Sequence, residues 1–91
     1  MFYLSANSCM PIEELDECKT IEEAMEYADE GAVYNGYDLK IYEDNLLVML
    51  RRWSSVEFDI DEVDFDEDEC IIFGSFGFYA PWEEVTWLEE L

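Results

Sequence analysis

The alternation of apolar and polar residues predicts most of the β structure. Residues 2–6 favour a short first strand, and apolar side chains occupy every second position between residues 37 and 41. The apolar run over 46–53 is typical of a well-buried strand, and residues 43–45 (Glu-Asp-Asn) favour a turn before it. We therefore expect a β-hairpin over residues 37–53, preceded by a turn at Asn35-Gly36.

The same alternation continues into a strongly acidic segment. Val56, Phe58 and Ile60 alternate with three acidic residues. This predicts a strand with an apolar inner face and an acidic outer face, on which side chains lie about 6.6 Å apart. The alternation shifts register near Glu62 and then resumes through Val63 and Phe65, up to the acidic residues 66–69.

Residues 70–80 are almost free of charge. They predict one or two central strands, bent at Gly74 or Gly77 and covered on both faces, because an uncovered run of this kind favours aggregation.

Helical spacing is clearest over residues 21–30, where Ile21, Ala24, Met25 and Ala28 share one face. Thr20 and Glu23 have the spacing of a capping box, and Gly31 suits a left-handed residue after the helix. Residues 11–15 suggest a helical turn with Ile12 and Leu15 facing inward. Pro81 suits the first position of a short C-terminal helix in which Trp82, Val85, Leu88 and Leu91 share a face.

These elements predict an α+β fold in a single domain over residues 1–91. We expect a small, mostly antiparallel sheet of about four or five strands, one helix near residues 20–30 and a short C-terminal helix. The chain is 51% hydrophobic and 16% aromatic, which exceeds what an acidic disordered tail contains.

Charge adds the main functional clue. The net charge is −21, from 25 acidic and four basic residues, and no basic residue follows Arg52. The acids on the predicted helix are Glu22, Glu23, Glu26, Asp29 and Glu30. The acids between residues 57 and 69 are Glu57, Asp59, Asp61, Glu62, Asp64, Asp66, Glu67, Asp68 and Glu69.

Like charges four residues apart, and acids in the last turn of a helix, destabilise a helix. Because this placement does not favour folding, we predict that both sets bind a partner. Tyr27, Tyr34, Tyr42 and Trp87 are the candidate aromatic anchors beside them.

The sequence offers little catalytic chemistry. It has no histidine and no P-loop, dinucleotide-binding or GxSxG motif, so we expect neither enzymatic activity nor a cofactor. Three cysteines without a CxxC pair suggest reduced thiols in the cytoplasm, and an anionic membrane would repel the chain. Calcium is an alternative ligand for residues 57–69, but Asp64 stands where an EF-hand loop begun at Asp59 requires glycine.

In charge and size, the chain resembles the acidic DNA-mimic proteins of bacteriophages and mobile elements. These include anti-CRISPR proteins, anti-restriction proteins and uracil-DNA glycosylase inhibitors. The resemblance is carried by the acids of residues 22–30 and 57–69 rather than by an alignable motif. It implies an inhibitor that occupies the basic nucleic-acid channel of a CRISPR effector, restriction enzyme or similar protein, without binding nucleic acid itself.

Three other interpretations fit the composition. The acidity could serve solubility or adaptation to high salt, although the many large aromatic residues are unusual for halophilic chains. The chain could also be an acidic adaptor or chaperone for a basic protein, or a cation-binding module.

Overall fold

The computed structural model describes residues 1–6, 12–32 and 36–88, with the backbone alone for residues 86–88. It confirms an α+β fold, in which one helix accompanies a five-stranded and a three-stranded sheet, both antiparallel. The strands are β1 (Phe2–Ser5), β2 (Glu13–Glu14), β3 (Leu39–Glu43), β4 (Leu46–Arg51), β5 (Trp53–Ser54), β6 (Ile71–Ile72), β7 (Phe78–Tyr79) and β8 (Glu83–Leu88), and the helix is α1 (Ile21–Glu30).

The five-stranded sheet has the order β2-β1-β3-β4-β8. The first strand and the β3–β4 hairpin are confirmed, with Asp44 at a positive φ of 54° in the hairpin turn. The hairpin ends at Arg51, however, and Trp53, expected in its second strand, belongs to β5 of the other sheet. Adjacent residues Ile41 and Tyr42 are both buried, and successive side chains of a strand point to opposite faces. The centre of this sheet is therefore covered on both faces.

Helix α1 begins and ends where its sequence predicts. The Thr20 hydroxyl accepts a hydrogen bond from the Glu23 N–H at 3.2 Å, while the Glu23 carboxylate accepts from the Lys19 N–H at 2.9 Å. Ala24 and Ala28 pack into a core with Leu4, Ile41 and other apolar side chains. The small alanines let the helix lie close to the sheet.

The expected left-handed conformation after the helix is wrong. Gly31 has a φ of −92°, and its N–H donates to the Tyr27 carbonyl at 3.2 Å. The helix therefore ends with its usual backbone bonding pattern, which needs no positive φ.

The expected C-terminal helix is also wrong, because residues 83–88 form strand β8 on the free edge of β4. Leu47 pairs with Trp87, and Leu50 pairs with Glu83. Val85, Thr86 and Trp87 are strong strand formers, and the open edge of β4 offers them backbone partners that local spacing does not reveal. Residues 89–91 lie outside the described residues.

The predicted helical turn at residues 11–15 is likewise wrong over its described part. Residues 13 and 14 form β2 on the outer edge of β1, and the Leu15 N–H donates to the Phe2 carbonyl at 2.8 Å. Leu15 is buried as expected, whereas Ile12 is exposed. Pro11 lies outside the described residues, as does Asn35 of the expected Asn-Gly turn.

The uncharged segment supplies two strands of the three-stranded sheet, which has the order β5-β7-β6 and takes its edge strand β5 from residues 53–54. Its two short strands, β6 and β7, are joined by a 3-10 turn over Gly74–Phe76. The bend was expected at one of two glycines, and both have a positive φ, 59° at Gly74 and 141° at Gly77. Burial is incomplete, because Ile72 and Phe76 are exposed.

Candidate acidic binding surfaces

The first candidate surface, here called the acidic loop, comprises residues 57–69. The expected strand over residues 56–61 is absent there, and Phe58 is the one apolar residue of its alternating set that packs inward. The Phe58 and Phe65 rings lie 5.2 and 6.5 Å from the Phe78 ring. Strand β7 already pairs with β5 and β6, so the sheet has no free edge beside Phe78 for another strand.

Local hydrogen bonds shape the acidic loop into turns. The Asp59 carbonyl accepts from the N–H groups of Glu62 and Val63 at 3.0 and 3.2 Å, and its carboxylate accepts from the Asp61 N–H at 3.0 Å. Residues Glu67–Glu69 form a 3-10 turn. The evenly spaced row of carboxylates expected from a strand is therefore replaced by an irregular cluster.

All nine carboxylate residues of the acidic loop are exposed. Among the described residues, ion pairs engage Asp29, Asp44 and Glu83, and none engages this loop. The loop therefore presents a dense negative charge without a direct ion pair to any described residue, although Arg52 lines a cleft with Asp64 and Glu69.

Helix α1 supplies the second surface, and its acids differ in their contacts with the fold. Glu22, Glu23, Glu26 and Glu30 are exposed as predicted. Asp29 instead turns toward the fold, where its Oδ1 accepts from the Trp82 Nε1–H at 2.9 Å and lies 3.6 Å from Arg51 Nη1. Its carboxylate is engaged by these two contacts while its side chain stays 38% exposed, so its role in binding a partner stays a prediction.

A cleft of about 510 Å³ extends this helical surface, and we call it the helix cleft. Besides three glutamates of α1, its lining includes four acids that the sequence analysis missed, namely Glu13, Glu14, Asp16 and Glu17. The run of acids over residues 13–17 was a visible signal, but its position beside α1 depends on the pairing of β2 with β1.

Tyr27 forms part of the same cleft. Its hydroxyl donates to Glu13 Oε1 at 2.6 Å, and this hydrogen bond is the main cause that raises the pKa of Tyr27. Tyr27 is exposed, as an anchor would be, whereas Tyr42 is buried and unsuitable. Tyr34 and the Trp87 side chain lie outside the described residues.

The acidic loop and α1 meet at Arg51, which is only 4% exposed. Its Nη2 donates to the Glu69 carbonyl at 2.9 Å, and its guanidinium carbon lies 5.7 Å from the centre of the Trp82 ring. Burial lowers the pKa of Arg51, and the nearby Asp29 opposes this effect. Arg51 therefore binds the backbone of the acidic loop and leaves the Glu69 carboxylate exposed.

The two described cysteines are partly buried, and burial is the main cause that raises the pKa of both Cys18 and Cys70. Raised values disfavour the nucleophilic thiolate. Within residues 1–6, 12–32 and 36–88, no group of three or more acidic or cysteine side chains is arranged to hold a metal ion. No helix in the described part of the chain is long and apolar enough to cross a membrane.

Comparison with known proteins leaves the surfaces to be interpreted on their own chemistry. No family model matches the chain, and no match was found among the curated proteins or the solved structures.

Proposed function

We propose that this chain is a stoichiometric inhibitor that binds the basic nucleic-acid-binding surface of a host defence enzyme by mimicking the charge of DNA. The proposed target is a CRISPR effector or a restriction enzyme in the cytoplasm. The acidic loop forms the main contact, and the exposed acids of α1 form the second.

The observation that carries the proposal is the exposed charge of the acidic loop, which no direct ion pair engages among the described residues. A chain of 91 residues with a net charge of −21 destabilises its own compact state by self-repulsion. A basic partner relieves this repulsion, and the dense negative potential speeds its association. The same potential repels phosphates, which supports a protein partner rather than nucleic acid.

A nucleic-acid-binding groove is the basic surface that best matches this charge density. Duplex DNA carries one negative charge per about 1.7 Å of helix axis, and proteins that bind it cluster Lys and Arg accordingly. Because the acidic loop is irregular, the support comes from its charge density and not from matched spacing of individual phosphates.

Inhibition of DNA cleavage tests the proposal. Purified chain is titrated into a panel of RNA-guided nucleases and restriction enzymes, with target DNA at a fixed concentration. We expect at least one enzyme to be inhibited at about one equivalent, and added salt to weaken the inhibition because it screens charge. A panel without any inhibited enzyme contradicts the proposal.

Two charge-reversal variants locate the contact. Asp61→Lys/Asp64→Lys alters the acidic loop but retains Asp59, whose carboxylate holds the turn. Glu43→Lys/Glu84→Lys is the comparison variant on the five-stranded sheet, where both side chains are exposed and line a cleft with Glu22 of the second surface. Each variant replaces two negative by two positive charges, changing the net charge from −21 to −17. We expect the loop variant to lose far more inhibition than the sheet variant, whereas equal losses would contradict the acidic loop as the main contact.

The same assay separates the inhibitor from an acidic adaptor or chaperone. An adaptor that binds a basic protein outside its nucleic-acid groove leaves cleavage intact while it forms a complex. Complex formation without inhibition would therefore favour the adaptor.

A further inference from the structure

Four apolar side chains project from the region around Phe78 without being buried by the fold. Val56 and Ile60 are 64% and 60% exposed, and Phe65 and Ile72 are each 36% exposed. We call these four residues the apolar patch. Val56 and Ile60 were expected on the inner face of a strand, so their exposure is a finding of the structure.

Two of the four are neighbours of Phe78, and the other two flank Phe58, which packs on it. Ile72 is the cross-strand partner of Phe78, and the Phe65 ring lies 6.5 Å from the Phe78 ring. Val56 and Ile60 each lie two residues from Phe58, whose ring is 5.2 Å from that of Phe78. Two residues span at most about 7 Å, so the backbones of Val56 and Ile60 lie within about 7 Å of the Phe58 backbone.

The charge around the apolar patch favours one kind of binding partner. Val56, Ile60 and Phe65 are interleaved with, or adjoin, the nine exposed carboxylates of the acidic loop. A second copy of the chain would bring the same negative charge against this loop, and an anionic membrane would also repel it. A basic protein surface is attracted by the same charges and offers the aliphatic stems of its Lys and Arg side chains to apolar contacts.

We infer that the apolar patch is the anchor of the proposed complex, binding a basic protein surface that displays apolar side chains among its Lys and Arg residues. This inference rests on the proposed function and specifies the partner surface. The carboxylates supply the salt-dependent attraction, whereas the patch supplies salt-independent contact at the centre of the acidic loop. We therefore expect the chain to bind such a surface more tightly than a basic surface without apolar side chains.

Two synthetic peptides test the inference without requiring the target enzyme. Both are lysine-rich and equal in length and charge, but one is interspersed with leucine and the other with serine. We expect the full chain to bind the leucine peptide about tenfold or more tightly than the serine peptide, because partial burial of two or more aliphatic side chains is worth at least this factor.

Variants assign the preference to the patch. Val56→Ser/Ile60→Ser should abolish the preference for leucine and leave the salt dependence of binding unchanged. Ile12→Ser is the matched control, because Ile12 is 39% exposed beside the edge strand β2 of the other sheet, outside the patch. Asp61→Lys/Asp64→Lys should instead reduce the salt dependence and retain the preference.

The possible failures are distinguishable from one another. Equal binding of the two peptides, or a preference that survives Val56→Ser/Ile60→Ser, overturns the role of the patch and leaves the proposed inhibitor standing. If the preference depends on the patch but no nuclease is inhibited, the proposed function is overturned. The inference that the patch binds a basic surface with apolar side chains then still stands. No binding of either peptide at low salt overturns both.

Discussion

Arg51 donates a hydrogen bond from its buried guanidinium to the backbone carbonyl of Glu69 at 2.9 Å. The same guanidinium lies 3.6 Å from the Asp29 carboxylate on α1. One cation thus joins the last turn of the helix to the end of the acidic loop. It pairs with Asp29 and leaves the acids of the acidic loop without a direct ion pair among the described residues.

Arg51 should therefore contribute more to stability than the neighbouring arginine. Arg51→Met removes a charged hydrogen bond and leaves Asp29 without its cation, so we expect a loss of about 1–3 kcal/mol in the free energy of unfolding. Arg52→Met is the control, because its ion pair with Glu83 lies at the surface, where such pairs contribute about 0–1 kcal/mol. Urea denaturation measures both, and equal losses would contradict the role given to Arg51.

The turn between β6 and β7 should tolerate alanine at one glycine but not at the other. Gly77 has a φ of 141°, and an added Cβ would overlap the Ser54 carbonyl and the Trp53 ring. Gly74 has a φ of 59° with open space around it, so Gly74→Ala should cost only about 1 kcal/mol of backbone strain. We expect Gly77→Ala to lower the melting temperature far more than Gly74→Ala, and a similar change in both would contradict this packing.

The sequence predicts elements whose stability is mainly local. Thr20, Glu23 and the buried alanines are sufficient to identify α1, and the alternation through Leu39 and Ile41 identifies the hairpin. The error at residues 83–88 has a different cause. Trp82, Val85 and Leu88 fit helical spacing, but the partner that decides their structure is the edge of β4, more than 30 residues earlier in the sequence.

The exposed acids of α1 should favour binding at the expense of stability. Glu26 lies four residues from both Glu22 and Glu30, so Glu26→Lys converts two repulsive pairs into attractive ones. We expect the variant to gain about 0.5–1 kcal/mol in stability and to lose inhibitory activity. Thermal denaturation and the cleavage assay measure the two effects. If stability rises while inhibition is unchanged or also rises, Glu26 does not contact the partner.

Cys70 should react slowly with alkylating reagents. Burial raises its pKa, and nearby acids add to this effect although Arg51 opposes it, so the thiolate is scarcer at pH 8 than in an ordinary cysteine. In a Cys9→Ser/Cys18→Ser background, we expect the rate of iodoacetamide labelling to lie well below that of a model thiol and to rise in urea. A native rate equal to the model thiol would contradict the structure around Cys70.

The candidate site was predictable in composition but not in shape. The acids of residues 57–69 are evident in the sequence, whereas their arrangement depends on Phe58 and Phe65 packing on Phe78 and on the turn at Asp59. The pattern of Val56, Phe58 and Ile60 suggested a single inner face, but Phe58 packs on Phe78 whereas Val56 and Ile60 are 64% and 60% exposed. Asp29 resembled the other helix acids until its distance from Arg51 was known.

Competition between this chain and DNA for an inhibited enzyme tests the central claim most directly. The enzyme is bound to labelled duplex DNA, the chain is titrated in at low salt, and fluorescence anisotropy reports the bound DNA. We predict that about one equivalent of the chain displaces the DNA, that excess DNA reverses the displacement, and that added salt weakens the binding of the chain. A stable ternary complex of chain, enzyme and DNA, or binding that is unaffected by salt, would contradict charge mimicry.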